Sequence, residues 1–458
     1  MTSDLLPISM SSPDLTDLER EAVAAVLRTP NLSMGKEITL FEAAFTRLTG
    51  LKHAIGVNSG TAGLHLCVHA AGIQAGDLVI TTPFSFVASA NALLFERAVP
   101  IFVDVDPLTG NLDPALAAQA AADLTQGDAA ARRWLPPQGA DPGAPLKAIL
   151  AVDVFGQPAD YDPLQQTAQA YELRLIEDSC EALGAAYKGR LAGTLGETAV
   201  FAFYPNKQIT TGEGGMIVTN DDAAAAHMRA LRNQGRAPGD TWLDHTYLGY
   251  NYRLDEMSAA LGAVQMGRLE ALMQKRQRVA DWYAERLAEI PQLEAPHVAP
   301  STTRPSWFVY VVRLPKTANR AALATRLAER GIPVRPYFLP IHLQPYMVEQ
   351  FGYRAGDFPV TEDLGQRGIA LPFSGVMSED QVDLVCRSLR EAETFPLTLE
   401  RSLSVPLRCH HVGNVNVCRC YVELYFKIAW VYRCQPLDNA RNPGAEHPDL
   451  AVQLLVSS

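Results

Sequence analysis

At 458 residues, 48% hydrophobic and 19% charged, the chain is long enough for two domains with an appendage and apolar enough to bury a large core. Its formal net charge of −11 argues against a nucleic-acid partner and against a polybasic membrane patch. No window approaches the roughly twenty apolar residues of a spanning helix, the start Met1-Thr2-Ser3-Asp4 carries acid where a secretion signal carries base, and Cys67, Cys180 and Cys386 lie singly in apolar contexts, so a cytoplasmic protein is expected.

From Leu51 to about Asn220, short apolar runs alternate with helical stretches. His53 to Val57, Leu78 to Thr81, Val99 to Val105, Ala148 to Val154 and Leu173 to Glu177 read as strands. Between them, Ala62 to Ala71, Ala88 to Glu96, Pro114 to Leu124 and Pro163 to Tyr171 read as helices. This order predicts an α/β fold with a mainly parallel sheet covered on both faces, and ligands beyond the carboxyl ends of its strands. Thr125 to Pro145, rich in Pro, Gly and Ala, reads as a surface insertion. Two more strands, Thr198 to Tyr204 and Met216 to Thr219, flank a turn in which a single lysine, Lys207, precedes Gly212, Gly214 and Gly215. A long helical stretch from Asp255 to about Leu287 breaks at Pro291. A strand, Trp307 to Leu314, and two helices, Arg320 to Arg330 and Glu379 to Glu391, then suggest a smaller α+β domain. The expected division is a large domain over residues 1–290, a small one over 291–393 and a tail over 394–458.

The residues that carry chemistry fall at predicted strand ends. Asn58-Ser59-Gly60-Thr61 joins the first strand to a helix, and its hydroxyls and free amides suit a phosphate as well as they suit an ordinary helix cap. Phe86 follows the second strand, where it can lie flat on a ring or fill core. Asp178 follows a buried strand; an acid there can keep a pyridine nitrogen protonated or be a solvated loop acid. Lys207 is held between two strands, and an amine that loses hydration becomes a nucleophile able to form a Schiff base with an aldehyde. Gly249-Tyr250-Asn251-Tyr252-Arg253 precedes the long helix and offers an amide and a guanidinium suited to phosphate or carboxylate.

The order of these pieces, from phosphate loop through aromatic and strand-end acid to lysine, resembles that of fold-type-I pyridoxal phosphate enzymes. More closely, from about Met34 to Ala392 the chain resembles the DegT/StrS family of nucleotide-sugar aminotransferases. The matching blocks are Met34-Gly35 with Phe41-Glu42, Asn58 to Thr61, Gly76-Asp77, Phe102 to Asp106, Gly156 to Asp160, Glu177-Asp178 with Glu181 to Gly184, the lysine segment, Gly249 to Arg253 and Pro340 to Pro345. The resemblance implies a fold-type-I transferase with a mainly parallel large-domain sheet and a smaller C-terminal domain. It implies that Lys207 holds pyridoxal 5'-phosphate covalently and moves protons during transamination, that Asp178 pairs with the pyridine nitrogen and that Phe86 stacks on the ring. Ser59, Gly60 and Thr61 would hold the phosphate, and Glu181 would contact the cofactor from a position where relatives often carry Gln or His. Asn251 would reach the phosphate of a neighbouring subunit, making a homodimer with shared sites. Arg253 and His342 would meet substrate. Ala202 departs from the serine that many relatives use as a phosphate ligand.

The implied reaction turns a keto group on a nucleotide-activated sugar into an amine, with glutamate as donor, for polysaccharide or glycoconjugate synthesis. A dehydratase with the same cofactor is one alternative, disfavoured because dehydratase relatives replace the lysine with histidine; a non-catalytic regulator on the same fold is another. The tail from about Glu393 lies outside the resemblance. Cys409-His410-His411, Cys418, Cys420 and Cys434 invite a metal reading, but the spacing matches no zinc pattern. A poorly ordered extension without a metal is expected there.

Overall fold

The computed structural model describes residues 8 to 393 and two short strands in the tail. Helix α1 (Asp17–Leu27) opens on a reciprocal capping box between Thr16 and Glu19. Helix α2 (Lys36–Thr49) turns Phe41 onto Phe203 and Phe45 onto Phe201, so the segments flanking the lysine turn are packed from one side by aromatic rings. There follow β1 (His53–Val57), α3 (Gly60–Ala70), β2 (Leu78–Thr81), α4 (Ala88–Phe95), β3 (Val99–Phe102), α5 (Pro114–Gln126), the short α6 (Asp128–Ala131), β4 (Leu146–Val152), α7 (Tyr161–Ala170) and β5 (Arg174–Asp178). A small hairpin, β6 (Ala186–Tyr187) and β7 (Arg190–Leu191), leads into β8 (Thr198–Ala202), β9 (Gly215–Thr219) and α8 (Asp222–Arg232).

The main sheet has the strand order β1-β9-β8-β5-β4-β2-β3. From β8 to β3 all neighbours are parallel, whereas β9 runs antiparallel to both β8 and β1. Helices cover both faces, so the inner strands are buried on both sides and read as unbroken apolar runs. Alternate residues of β4 divide between the faces: Ile149 and Ala151 face α5 and α7, while Ala148, Leu150 and Val152 join the core beneath α3 and α8. The register pairs Asp178 with Val152 on one side and Val200 on the other, which puts the acid at the carboxyl edge. Glu42 on α2 accepts from the Gly56 amide at 2.9 Å and from Arg232 at 2.8 Å, tying β1 to α8.

Two expectations change here. The stretch read as a surface insertion is partly core: Ala131 is buried, Trp134 and Leu135 pack on the α5 and α7 side, and Asp123 accepts from Arg133 at 2.6 Å and from the Trp134 indole at 2.7 Å. A single tryptophan with an ion-paired anchor outweighs the loop-like composition around it. The long helix is two, α9 (Glu256–Gly267) and α10 (Leu269–Leu287), parted at Arg268. Gly267 is a weak helix former, and Arg268 is drawn to Asp14 and Glu19 of the N-terminal segment.

Strand β10 (Thr302–Arg304) completes a small sheet of order β10-β6-β7. Beyond it come β11 (Tyr310–Arg313), α11 (Arg320–Glu329), β12 (Arg335–Pro336), α12 (Pro345–Phe351), α13 (Pro359–Arg367), β13 (Gly368–Leu371) and α14 (Glu379–Glu393). Strands β11, β13 and β12 form an antiparallel sheet whose core takes Val279, Tyr283 and Leu287 from α10 along with Leu371, Val385 and Leu389. The chain divides into two compact units, Met1–Pro396 and Leu397–Ser458. In the second, β14 (Cys409–Val412) and β15 (Val415–Cys418) pair antiparallel with Cys409 opposite Cys418. The side-chain reading of the tail cysteines and histidines, and the expectation of poor order, fall outside the described residues. Among those residues no helix is long and apolar enough to cross a membrane, and no cluster of three or more His, Cys, Asp or Glu could hold a metal.

Candidate active site

The site begins where β1 turns into α3. Ser59 caps the helix, its Oγ accepting from the Ala62 amide at 3.1 Å. The amides of Gly60 and Thr61 precede the helix's own ladder and lie at its positive end, so they can bind an anion. Gly60 is required by crowding: a Cβ there would stand 2.7 Å from the Ala202 methyl and 2.9 Å from Cys180 Sγ. A Cβ on Gly215 would meet the Ser59 carbonyl oxygen at 2.6 Å. The anion loop, the end of β8, the start of β9 and the residue two beyond Asp178 thus form one cradle.

Asp178, buried at the end of β5, accepts from Ser89 Oγ at 2.6 Å and from the Cys180 amide at 3.2 Å. Ser89 lies 2.9 Å from Ser85 Oγ. Its neighbour in sequence, Phe86, is 62% exposed, which removes the core-filling alternative and leaves a free ring face. Two further acids are buried behind Asp178. Asp153 accepts from Ser179 Oγ at 2.7 Å, Tyr161 Oη at 2.8 Å and the Ala159 amide at 3.0 Å. Glu177 accepts from the Gly193 amide at 2.7 Å and from the amides of Leu195 and Gly196. Burial pushes Asp153 up to about 7 and Glu177 to about 8 against those hydrogen bonds.

Lys207 follows a turn in which its own amide donates to the Tyr204 carbonyl at 2.9 Å. Its Nζ is 3.7 Å from the centroid of the Phe308 ring and 3.4 Å from Glu181 Oε1. The other Glu181 oxygen accepts from the Phe155 amide at 2.9 Å, and Phe155 has a positive φ of 58°. Burial raises the Glu181 carboxyl, with Lys207 pulling the opposite way. At 3.4 Å the contact is longer than a tight charge-assisted bond, so Nζ is tethered rather than locked.

The remaining expected residues are placed less centrally. Asn251 is exposed; its carbonyl accepts from Asn58 Nδ2 at 3.4 Å, beside the anion loop of the same chain. Arg253 is partly buried and donates to Asn233 Oδ1 at 3.1 Å. His342 departs from expectation. It is fully buried, with Nε2 at 3.0 Å from Glu362 Oε1 and Phe358 edge-on to its ring, which leaves no open face for a substrate. Its segment serves the fold: the Ile341 amide donates to the Pro83 carbonyl at 2.8 Å. Sequence reasoning missed Ser89, Asp153, Phe155, Phe308 and Arg276. Of these only Asp153 carried a signal, as the one acid within the otherwise apolar predicted strand Ala148 to Val154.

A model of the DegT/DnrJ/EryC1/StrS aminotransferase family matches residues 13–390. The chain belongs to that family. It is 39% identical over 391 residues to a GDP-perosamine synthase of Caulobacter vibrioides, covering 84% of this chain and 98% of that one. Among solved structures, Helicobacter pylori PseC, an aminotransferase in pseudoaminic acid biosynthesis, superposes with a TM-score of 0.76 at 28% identity, over 85% of this chain and all of that one (100%). DesV of S. venezuelae superposes with a TM-score of 0.75 at 31% identity, over 85% of this chain and 99% of that one. The chain is therefore a pyridoxal phosphate-dependent aminotransferase of fold type I. Its residues fit the cofactor: the cradle at Gly60 admits only backbone close to an anion, and an acid and an amine stand at neighbouring strand ends.

Proposed function

We propose that this aminotransferase converts a keto group on a nucleotide-activated sugar to an amine, with glutamate as donor, in the synthesis of a surface polysaccharide or glycoconjugate. The observation that carries the reading is the placement of Lys207 Nζ between the Phe308 ring and Glu181, at the sheet edge that also bears Asp178. The GDP-perosamine synthase relative supports the substrate class. When bound, pyridoxal phosphate supplies the electron sink for amino-group exchange.

Each residue then has a task. The Gly60 and Thr61 amides and Ser59 hold the phosphate, and Phe86 offers its exposed face to the ring. Asp178, fixed by Ser89 and Cys180, keeps the pyridine nitrogen protonated. Lys207 Nζ anchors the cofactor and, once displaced by an amine, carries a proton from one carbon to the other. Glu181, in reach of that nitrogen, orients it. Asn251, exposed here, reaches the phosphate of a second subunit, and Arg253 lies near enough in sequence to meet substrate there. Trp242, Leu243 and Leu248, 78%, 81% and 88% exposed, supply apolar surface for a homodimer. Cys67, Cys180 and Cys386 are free thiols, as suits the cytoplasm.

The test is a panel of nucleotide keto-sugars incubated with L-glutamate. Equimolar amino sugar and 2-oxoglutarate is the expected result. No amine from any member would overturn the reading, and a deoxy keto-sugar formed with 2-oxoglutarate and free ammonia in place of the amino sugar would support the dehydratase instead.

A further inference from the structure

Arg276 on α10 is 4% exposed, and among the described residues no carboxylate pairs with it. All its hydrogen bonds go to main-chain carbonyls. Nη1 donates to Trp307 at 3.1 Å and Phe308 at 3.2 Å; Nη2 donates to Asn206 at 3.1 Å and Lys207 at 2.6 Å. Burying a cation without a counter-charge is unfavourable and holds this guanidinium down to about 10, still protonated at neutral pH. A neutral side chain of similar volume would pack without that cost, so packing alone does not account for an arginine.

The four carbonyls fall into two pairs, and both lead to the Lys207 amine. Asn206 and Lys207 form the turn that fixes where the lysine side chain starts. Trp307 and Phe308 fix the ring that lies 3.7 Å from Nζ. A guanidinium presents its donors in a rigid planar fork, so one group sets two chain segments relative to each other; an ammonium on a flexible stem cannot. Arg276 also lines a small cleft with Lys207, Gln208, Thr210, Gln265 and Pro13, a set that includes none of the anion-loop residues.

We propose that Arg276 is the positioning residue for Lys207: it joins the lysine's main chain and the Phe308 ring into one unit, so that Nζ approaches the cofactor aldehyde from a set direction. The inference rests on the reading of Lys207 as the cofactor lysine. Arg276 touches neither substrate nor cofactor, and it acts through the turn and the ring.

The experiment uses full-length protein carrying Arg276→Lys, which keeps the charge and loses the fork, and Arg276→Ala. Three quantities are read. The first is the rate at which cofactor-free protein captures pyridoxal 5'-phosphate on Lys207, trapped with borohydride and mapped by mass spectrometry. The second is equilibrium binding of pyridoxamine 5'-phosphate, which uses the anion loop and Asp178 but needs no lysine bond. The third is the split between kcat and KM. Arg276→Lys should slow capture and lower kcat by about tenfold to a hundredfold, the cost of a small misplacement of a reacting group. Pyridoxamine 5'-phosphate binding and KM should stay close to wild type, and added guanidinium should restore part of the rate to Arg276→Ala but none to Lys207→Ala. Capture by Arg276→Lys at the wild-type rate would overturn the inference. So would failure of both variants to fold, or parallel loss of pyridoxamine 5'-phosphate binding, since either makes Arg276 a residue of the fold. A wild-type protein with no adduct on Lys207 would instead overturn the reading beneath it.

Discussion

Asp178 gains its orientation from Ser89, 89 positions earlier in the chain, and from the amide of Cys180. An amide in its place keeps the shape but cannot stabilise a protonated pyridine nitrogen, so Asp178→Asn should bind the cofactor and slow the half-reaction with glutamate by orders of magnitude. Unchanged single-turnover rates would make Asp178 a structural acid only. The acids behind it govern stability. Asp153 and Glu177 are raised to about 7 and about 8, well above unfolded carboxyls. A raised group stabilises the fold below its unfolded pKa and loses that contribution as pH rises through the folded value. The denaturation midpoint of wild type, taken relative to Asp153→Asn, should therefore fall between about pH 4 and about pH 8. A difference that stays flat across that range would show that the pair binds no extra proton. Lys207 and Asp178 were legible in the sequence because each follows an apolar strand. Ser89, Phe308 and Arg276 were not, because their roles depend on contacts across 89, 101 and 69 positions that no local pattern encodes.

At the scale of elements, the parallel strands were readable because burial on both faces writes them as apolar runs. The antiparallel direction of β9 was not, since it is set by how the lysine turn folds back on β8. Helices α1 and α2 escaped notice as well; their apolar residues face partners contributed by distant segments, such as Phe201 and Phe203. The junction of β1 with α3 gives the sharpest test at this scale. A methyl on Gly60 must displace Ala202 or Cys180, which shifts the first amides of α3 away from the anion. Gly60→Ala should weaken pyridoxamine 5'-phosphate binding by at least about tenfold, or ~1.4 kcal/mol, measured by calorimetry. Wild-type affinity in that variant would show that the phosphate is held elsewhere. Some blocks that carried the resemblance prove structural: Glu42 ties β1 to α8, and His342 pairs with Glu362 in the core. A motif match records that a residue matters without saying whether it meets ligand.

At the scale of the whole molecule, the exposed Asn251 and the apolar surface at Trp242, Leu243 and Leu248 make a shared site testable. Lys207→Ala and Asn251→Asp should each be inactive or badly impaired, the second by setting a negative charge against the cofactor phosphate. Mixed dimers of the two would hold one site with both defects and one with neither, so subunit exchange should restore about a quarter of wild-type activity. No rescue despite demonstrated exchange would place Asn251 in its own subunit's site. The account as a whole stands on one amine. Wild-type protein loaded with pyridoxal 5'-phosphate, reduced with borohydride and digested should carry the phosphopyridoxyl group on the peptide containing Lys207. An adduct on another lysine, or none at all, would contradict it.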